Sequence, residues 1–206
     1  MSGVTAGAGG RVYRIAGIAG SLRRGSFNRA LLEAARQVAP PALVIAIHAL
    51  DAVPLYNADV EEIAAPPAVT ELREAVRAAD GLLIATPEYN HGVPGVLKNA
   101  IDWLSRPPRA SALDGKPAAV MGASPGMTGT ARGQSQLRQA FVFTNTFAMA
   151  QPEILVGRAH EKFDADGRLT DAATRDFLAK FLARFAEWVG RFAKPDGHPP
   201  SGDATA

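Results

Sequence analysis

The chain of 206 residues predicts a doubly wound α/β fold, a parallel β-sheet covered by helices on both faces. Three observations carry that expectation. Short apolar runs of β-type composition alternate with stretches of helical periodicity, the pattern of successive βαβ units. The run at 81–86, GLLIAT, is nearly all apolar and lacks polar alternation, as a strand buried on both faces requires. Three clusters rich in glycine, hydroxyl and amide residues each begin immediately after a candidate strand. In such a fold they meet outside the carboxyl ends of the strands, where ligands bind.

Residues 12–19 read as the first strand. A helix follows over about 26–39, with Leu31, Leu32 and Ala35 on one face, and Pro40 and Pro41 end it. The second strand is expected at 42–48, a helix at 67–79, the third strand at 81–86 and a helix at 93–104. The fourth strand is expected at 116–123 and a helix at 131–143. Residues 147–156 give a fifth strand, broken around Pro152. The last helix, 172–192, carries Phe177, Phe181, Phe185 and Phe192 on a stripe that marks core or interface. No internal repeat is visible, so 11–193 is read as one domain. The ends MSGVTAGAGG (1–10) and KPDGHPPSGDATA (194–206) are expected to be disordered tails. The first lacks the basic start and apolar stretch of a secretory leader, and no run approaches the roughly 18 apolar residues of a membrane span. These features suggest a cytoplasmic protein.

Composition narrows the chemistry. The formal net charge is +2, and Lys and Arg are scattered rather than gathered on one basic stretch, so no nucleic-acid footprint is legible. With no cysteine there is no disulfide framework, thiolate nucleophile, Cys-ligated zinc site or Cys-held iron–sulfur cluster. Any redox chemistry must belong to a bound cofactor. His48, His91, His160 and His198 show no metal-ligand spacing, so no metal site is expected.

The first cluster, Gly20-Ser21-Leu22-Arg23-Arg24-Gly25-Ser26-Phe27-Asn28, leads into a helix N-terminus. Free backbone N–H groups, the positive helix end, two hydroxyls, an amide and an arginine suit a phosphate dianion. Ser26 as an ordinary helix cap with solvated arginines explains part of the pattern, but capping needs only one of these polar groups. The loop is neither GxGxxG nor GxxxxGK[ST], so the dinucleotide and nucleoside-triphosphate fingerprints are absent. The second cluster, Thr86-Pro87-Glu88-Tyr89-Asn90-His91-Gly92, offers a fixed turn, an aromatic ring and backbone amides suited to the N5 and O4 edge of a flavin. Ordinary turn chemistry also favours Pro and Asn. His91 reads as a surface residue more readily than as a general acid. The third cluster, Ala123-Ser124-Pro125-Gly126-Met127-Thr128-Gly129, presents N–H groups able to stabilise negative charge at the N1 and O2 end of such a ring.

Together GSLRRGSFN, PEYNHGVPGVLKNAIDW and LRQAF (137–141) resemble the NAD(P)H-dependent FMN reductase family, the flavodoxin-like group that includes bacterial chromate and quinone reductases. The similarity spans about 15–154. It implies a flavodoxin-like sheet of five parallel strands in the order 2-1-3-4-5, one bound FMN, and NAD(P)H as co-substrate, with NADH or NADPH left open. By the same resemblance Ser21, Arg23, Ser26, Phe27 and Asn28 hold the FMN phosphate end. Pro87, Glu88, Tyr89 and Asn90 line the isoalloxazine, and Ser124, Pro125 and Gly126 complete its pyrimidine end. Gly92 stands where many members carry serine. The implied activity is ping-pong two-electron reduction of quinones, flavins, azo compounds or metal oxyanions such as chromate, with no catalytic side chain because the flavin carries the chemistry. A homodimer or homotetramer is implied, with Leu55 to Asn57 and the last helix as contributors. An electron-carrier flavodoxin and a non-enzymatic flavin-binding regulator share these loops, although the former is usually strongly acidic and this chain is not.

Overall fold

In the computed structural model the described residues are 11–193, so both expected tails lie outside them. The sheet consists of β1 (Tyr13–Ala19), β2 (Leu43–His48), β3 (Gly81–Ala85), β4 (Pro117–Ala123), β5 (Phe147–Ala148) and β6 (Ile154–Val156). Every pairing is parallel and the order is β2-β1-β3-β4-β5, with β6 also on β4. The expected fifth strand is therefore two short pieces that share one neighbour. Phe147 and Ala148 pair with the start of β4, Ile154 to Val156 with its end. Between them the chain bulges away from the ladder at Pro152, which has no N–H to donate.

The helices are α1 (Phe27–Val38), α2 (Ala58–Ile63), α3 (Pro67–Ala78), α4 (Gly95–Leu104), α5 (Ala131–Phe143) and α6 (Ala172–Gly190). Strand residues alternate between two cores. Ile15, Leu83 and Met121 face α1 and α6, packing on Leu31, Leu32, Phe181 and Phe185. Ile18, Leu82, Ile84 and Val120 face α3, α4 and α5, packing on Leu72, Leu97, Ile101 and Leu137. Burial on both faces explains why β3 reads as a continuous apolar run, and all five of its residues are buried.

The short helix α2 was not anticipated. It buries none of its residues and is started by Asn57, whose side chain accepts from the N–H of Asp59 at 2.9 Å, so no apolar periodicity announces it. The stretch before it is pinned by α4. Trp103 Nε1 and Asn99 Nδ2 both donate to Pro54 O at 2.8 Å, and Asn99 Oδ1 accepts from Tyr56 N at 2.8 Å. Leu55 is left 83% exposed.

The phenylalanine stripe of α6 also divides. Phe181 and Phe185 are buried, Phe177 is half exposed, and Phe192 lies past the helix, stacked on Phe147 with ring centroids 4.9 Å apart. Steps of four residues advance about 400° around a helix of 3.6 residues per turn, so a strict four-residue row drifts off the core face. The face that is buried runs through Thr174, Leu178, Phe181, Phe185 and Val189.

Candidate active site

The three loops meet at the carboxyl edge of the sheet because β1, β3 and β4 are neighbours there. Backbone bonds hand the sheet over to the loops: Gly20 N donates to Ala85 O at 2.9 Å, Thr86 N to Met121 O at 2.9 Å, and Ser124 N to Val156 O at 2.9 Å.

In the first loop Ser21 and Ser26 are buried while residues 22–25 are exposed. Ser26 caps α1, its Oγ accepting from Asn28 N at 3.2 Å and Arg29 N at 3.4 Å. Ser21 Oγ accepts from Arg23 N at 3.4 Å. Each hydroxyl therefore serves the protein as acceptor and keeps its own O–H without an acceptor among the described residues. The backbone N–H groups of Arg24, Gly25, Ser26 and Phe27 likewise have no acceptor there. Nor does any carboxylate of the described residues pair with Arg23, Arg24 or Arg29.

The second loop is a tight hairpin. Tyr89 N donates to Gly92 O at 3.1 Å and Gly92 N to Tyr89 O at 2.9 Å, with Asn90 and His91 at φ of 51° and 63° between them. Two successive left-handed residues in a two-residue turn are the type I′ arrangement, which explains an asparagine there. The third loop is backed by the segment after β6, with Arg158 N donating to Gly126 O at 2.9 Å and Ala159 N to Ser124 O at 2.9 Å. Ser124 Oγ accepts from Gly126 N at 3.1 Å.

The chain matches the NADPH-dependent FMN reductase family over residues 13–161. It is 48% identical over 178 residues to an NAD(P)H-dependent FMN reductase of Pseudomonas aeruginosa, a match covering 86% of this chain and 96% of the other. It is 43% identical over 175 residues to a quinone reductase of Escherichia coli K12, covering 84% and 93% of the two chains. A solved structure of FerB, a flavoenzyme NAD(P)H:(acceptor) oxidoreductase from Paracoccus denitrificans, superimposes with a TM-score of 0.81 at 37% identity, covering 88% and 99%.

The chain belongs to the NADPH-dependent FMN reductase family. It is an oxidoreductase with FMN as cofactor and NAD(P)H as reductant, built on a flavodoxin-like fold. The free donors of the first loop fit that cofactor: unpaired N–H groups, two hydroxyl hydrogens and an arginine without a carboxylate at one helix N-terminus suit a phosphate dianion.

Three residues expected to contact FMN, Asn28, Glu88 and Phe27, have side chains engaged elsewhere, and a fourth, Asn90, is exposed. Asn28 is 3% exposed, and its amide bonds the backbone of Ala123 twice, Nδ2 to Ala123 O and Oδ1 from Ala123 N, both at 2.9 Å. Glu88 turns away from the loop. Its Oε2 accepts from Arg132 N at 2.9 Å and Gly133 N at 3.0 Å, with Arg132 Nη1 3.6 Å from Oε1. Those are free N–H groups at the start of α5, whose own cap residue, Thr130, makes no side-chain cap bond to them. A carboxylate on a positive helix end is a favourable pairing, so Glu88 caps a helix in trans. Asn90 sits exposed at the hairpin tip, and Phe27 packs at a tilt on Phe163 with centroids 5.7 Å apart.

Sequence reasoning missed the support behind the third loop. Thr130 is fully buried at φ 79°, a costly conformation for a β-branched residue. Gln134 holds it, donating from Nε2 to Thr130 Oγ1 at 3.1 Å and to Ile154 O at 2.9 Å. Gly122 makes room, since a Cβ there would lie 1.9 Å from Thr130 Oγ1 and 2.5 Å from Thr86 O. Gln136 ties α5 to the hairpin, its Oε1 accepting from Val93 N at 2.6 Å, and a Cβ on Gly92 would meet that same atom at 2.7 Å. The missing serine at position 92 and the glutamine at 136 are thus one packing solution.

Replacing Glu88 by Ala should lower unfolding free energy by about 1–2 kcal/mol, the scale of a lost cap carboxylate, in urea melts of the holoenzyme. FMN affinity should fall less than twofold. Undiminished stability with much weaker FMN binding would instead make the carboxylate a direct flavin contact.

Proposed function

We propose that the protein reduces quinones by two electrons at the expense of NAD(P)H, in a ping-pong sequence with one FMN held between the three loops. Flavins, azo compounds and metal oxyanions such as chromate are the further acceptors we assign to it. The observation that carries this reading is the meeting of three loops at the end of the sheet where such folds bind ligands, with the N–H groups of residues 24–27, 88, 90 and 127–129 left without acceptors among the described residues. The names of the relatives, among them quinone reductases and a 2-hydroxy-1,4-benzoquinone reductase of a Burkholderia species at 40% identity, support the choice of acceptor.

In this reading Ser21, Arg23 and Ser26, with the N–H groups of residues 24–27, bind the FMN phosphate. Pro87 and Tyr89 flank the ring, and the backbone N–H groups of Glu88 and Asn90 serve its N5 and O4 edge. Ser124, Pro125 and Gly126 close the pyrimidine end, where the N–H groups that follow at 127–129 favour the negative charge of the reduced ring. Bound FMN supplies the hydride and electron chemistry. The protein orients the two substrates in turn and provides no nucleophile or obligatory base. His91 is exposed at a hairpin tip and has no part in it. No helix among the described residues is long and apolar enough to cross a membrane, and we assign the enzyme to the cytoplasm.

Leu55 at 83%, Ile63 at 89% and Tyr89 at 48% exposure leave apolar surface uncovered in one chain. We take the working form to be a homodimer or homotetramer.

Steady-state rates with NADH or NADPH against a quinone series should give parallel double-reciprocal lines. Intersecting lines would overturn the ping-pong order, and absence of turnover with either nicotinamide would favour a carrier or regulator. Arg23→Ala should weaken FMN binding by about tenfold or more, the scale of a charge-assisted contact at ~1.5–3 kcal/mol, while His91→Ala leaves it unchanged; fluorescence titration would expose the reverse ranking. Light scattering at micromolar concentration should report a mass of two or four chains, and a fully active monomer would refute the assembly.

A further inference from the structure

The sheet is bridged by a side chain at the point where it opens. Along β4, successive residues turn their backbone groups to opposite neighbours. Met121 O accepts from Thr86 N on the β3 side, and Ser124 N donates to Val156 O on the β6 side. Ala123 therefore turns its N–H and C=O toward β3, yet the β3–β4 register ends at Ala85↔Met121. The Asn28 amide fills the place of the missing strand residue, donating to Ala123 O and accepting from Ala123 N, both at 2.9 Å and shielded from water. A primary amide carries a donor and an acceptor on separate atoms, as a peptide group does, whereas an ionised carboxylate has no donor and a hydroxyl has both on a single oxygen.

Asn28 is the second residue of α1, two positions from Ser26 at the phosphate end of the cleft. Ala123 adjoins Ser124 at the pyrimidine end. The two ends are 95 residues apart in sequence and joined by this one amide. We propose that Asn28 is a positioning residue that sets the separation between the phosphate-binding and pyrimidine-binding ends of the flavin cleft, acting through Ala123 rather than by touching FMN. The inference rests on the cofactor placement given under Proposed function. A rigid ligand gripped at both ends gains full affinity only if the grips are already at the right distance.

Asn28→Asp tests it. The ionised carboxylate still accepts from Ala123 N but sets an acceptor against Ala123 O. Protonation supplies the O–H that restores the pair. The defect should be present above the carboxyl pKa and vanish below it. At neutral pH the FMN dissociation constant, measured on the holoenzyme by flavin fluorescence, should rise about tenfold over wild type, and the ratio should fall toward one as the pH is lowered. The midpoint potential of bound FMN should shift to more negative values, because the N–H groups of residues 127–129, without acceptors among the described residues, no longer converge on the reduced ring. Asn28→Ala should show both losses with a ratio to wild type independent of pH. If that variant fails to fold, the Asp variant compared below and above its titration still decides. Weaker FMN binding with an unchanged potential would overturn the proposal in favour of a direct phosphate contact, and unchanged binding would make the amide a spectator. Wild type measured alongside separates the readings: a wild type that holds no FMN would condemn the cofactor placement, not the clamp.

Discussion

A parallel sheet that opens a cleft at its edge must stop pairing, and each backbone group released there still needs a partner. In this protein β3 and β4 part after Ala85 and Met121. Thr86 N finds Met121 O, Gly20 N finds Ala85 O, Ser124 N finds Val156 O, and the two groups of Ala123 find the amide of Asn28. The groups that find no partner among the described residues, chiefly at the start of α1, are those free to bind a ligand. Their availability and the satisfaction of their neighbours are two sides of one constraint.

The same reasoning separates two β–α turns of similar composition. Both the first and third loops are rich in glycine and serine and lead into a helix. Among the described residues no carboxylate reaches the start of α1 and none pairs with Arg23, Arg24 or Arg29 nearby, so its positive end stays open to an anion. The start of α5 is covered by Glu88, which also pairs with Arg132. Only the first is left open for the phosphate site we propose, while the closed second one fixes the hairpin of residues 89–92 against α5.

That rigidity has a structural cost. Thr130 is held at positive φ, and Gly122 is confined to a position where any side chain would strike Thr130 or Thr86. Strain of this kind persists where surrounding contacts over-determine the backbone, and here Gln134 and β6 supply them. The apolar cores on the two faces of the sheet provide the stability against which such local costs are set.

The sequence by itself determined the parallel sheet, the three loops and their arrival at one edge, while the strand order came from the resemblance to the FMN reductase family. Periodicity of apolar residues and the position of glycines after each strand are local signals that tertiary contacts had only to respect. It did not determine which polar side chains face the cleft. Ser, Asn and Glu carry the same donors and acceptors whether the partner is a phosphate or a backbone group 95 residues away, as at Asn28, or a helix start 44 residues on, as at Glu88. Likewise nothing in the run at 147–156 announced two separate strands, nothing near Asn57 announced α2, and the four-residue spacing of Phe177 hid its drift from the core face. Those assignments depend on where strands diverge and what lies across the gap, which is long-range geometry that only the folded chain decides.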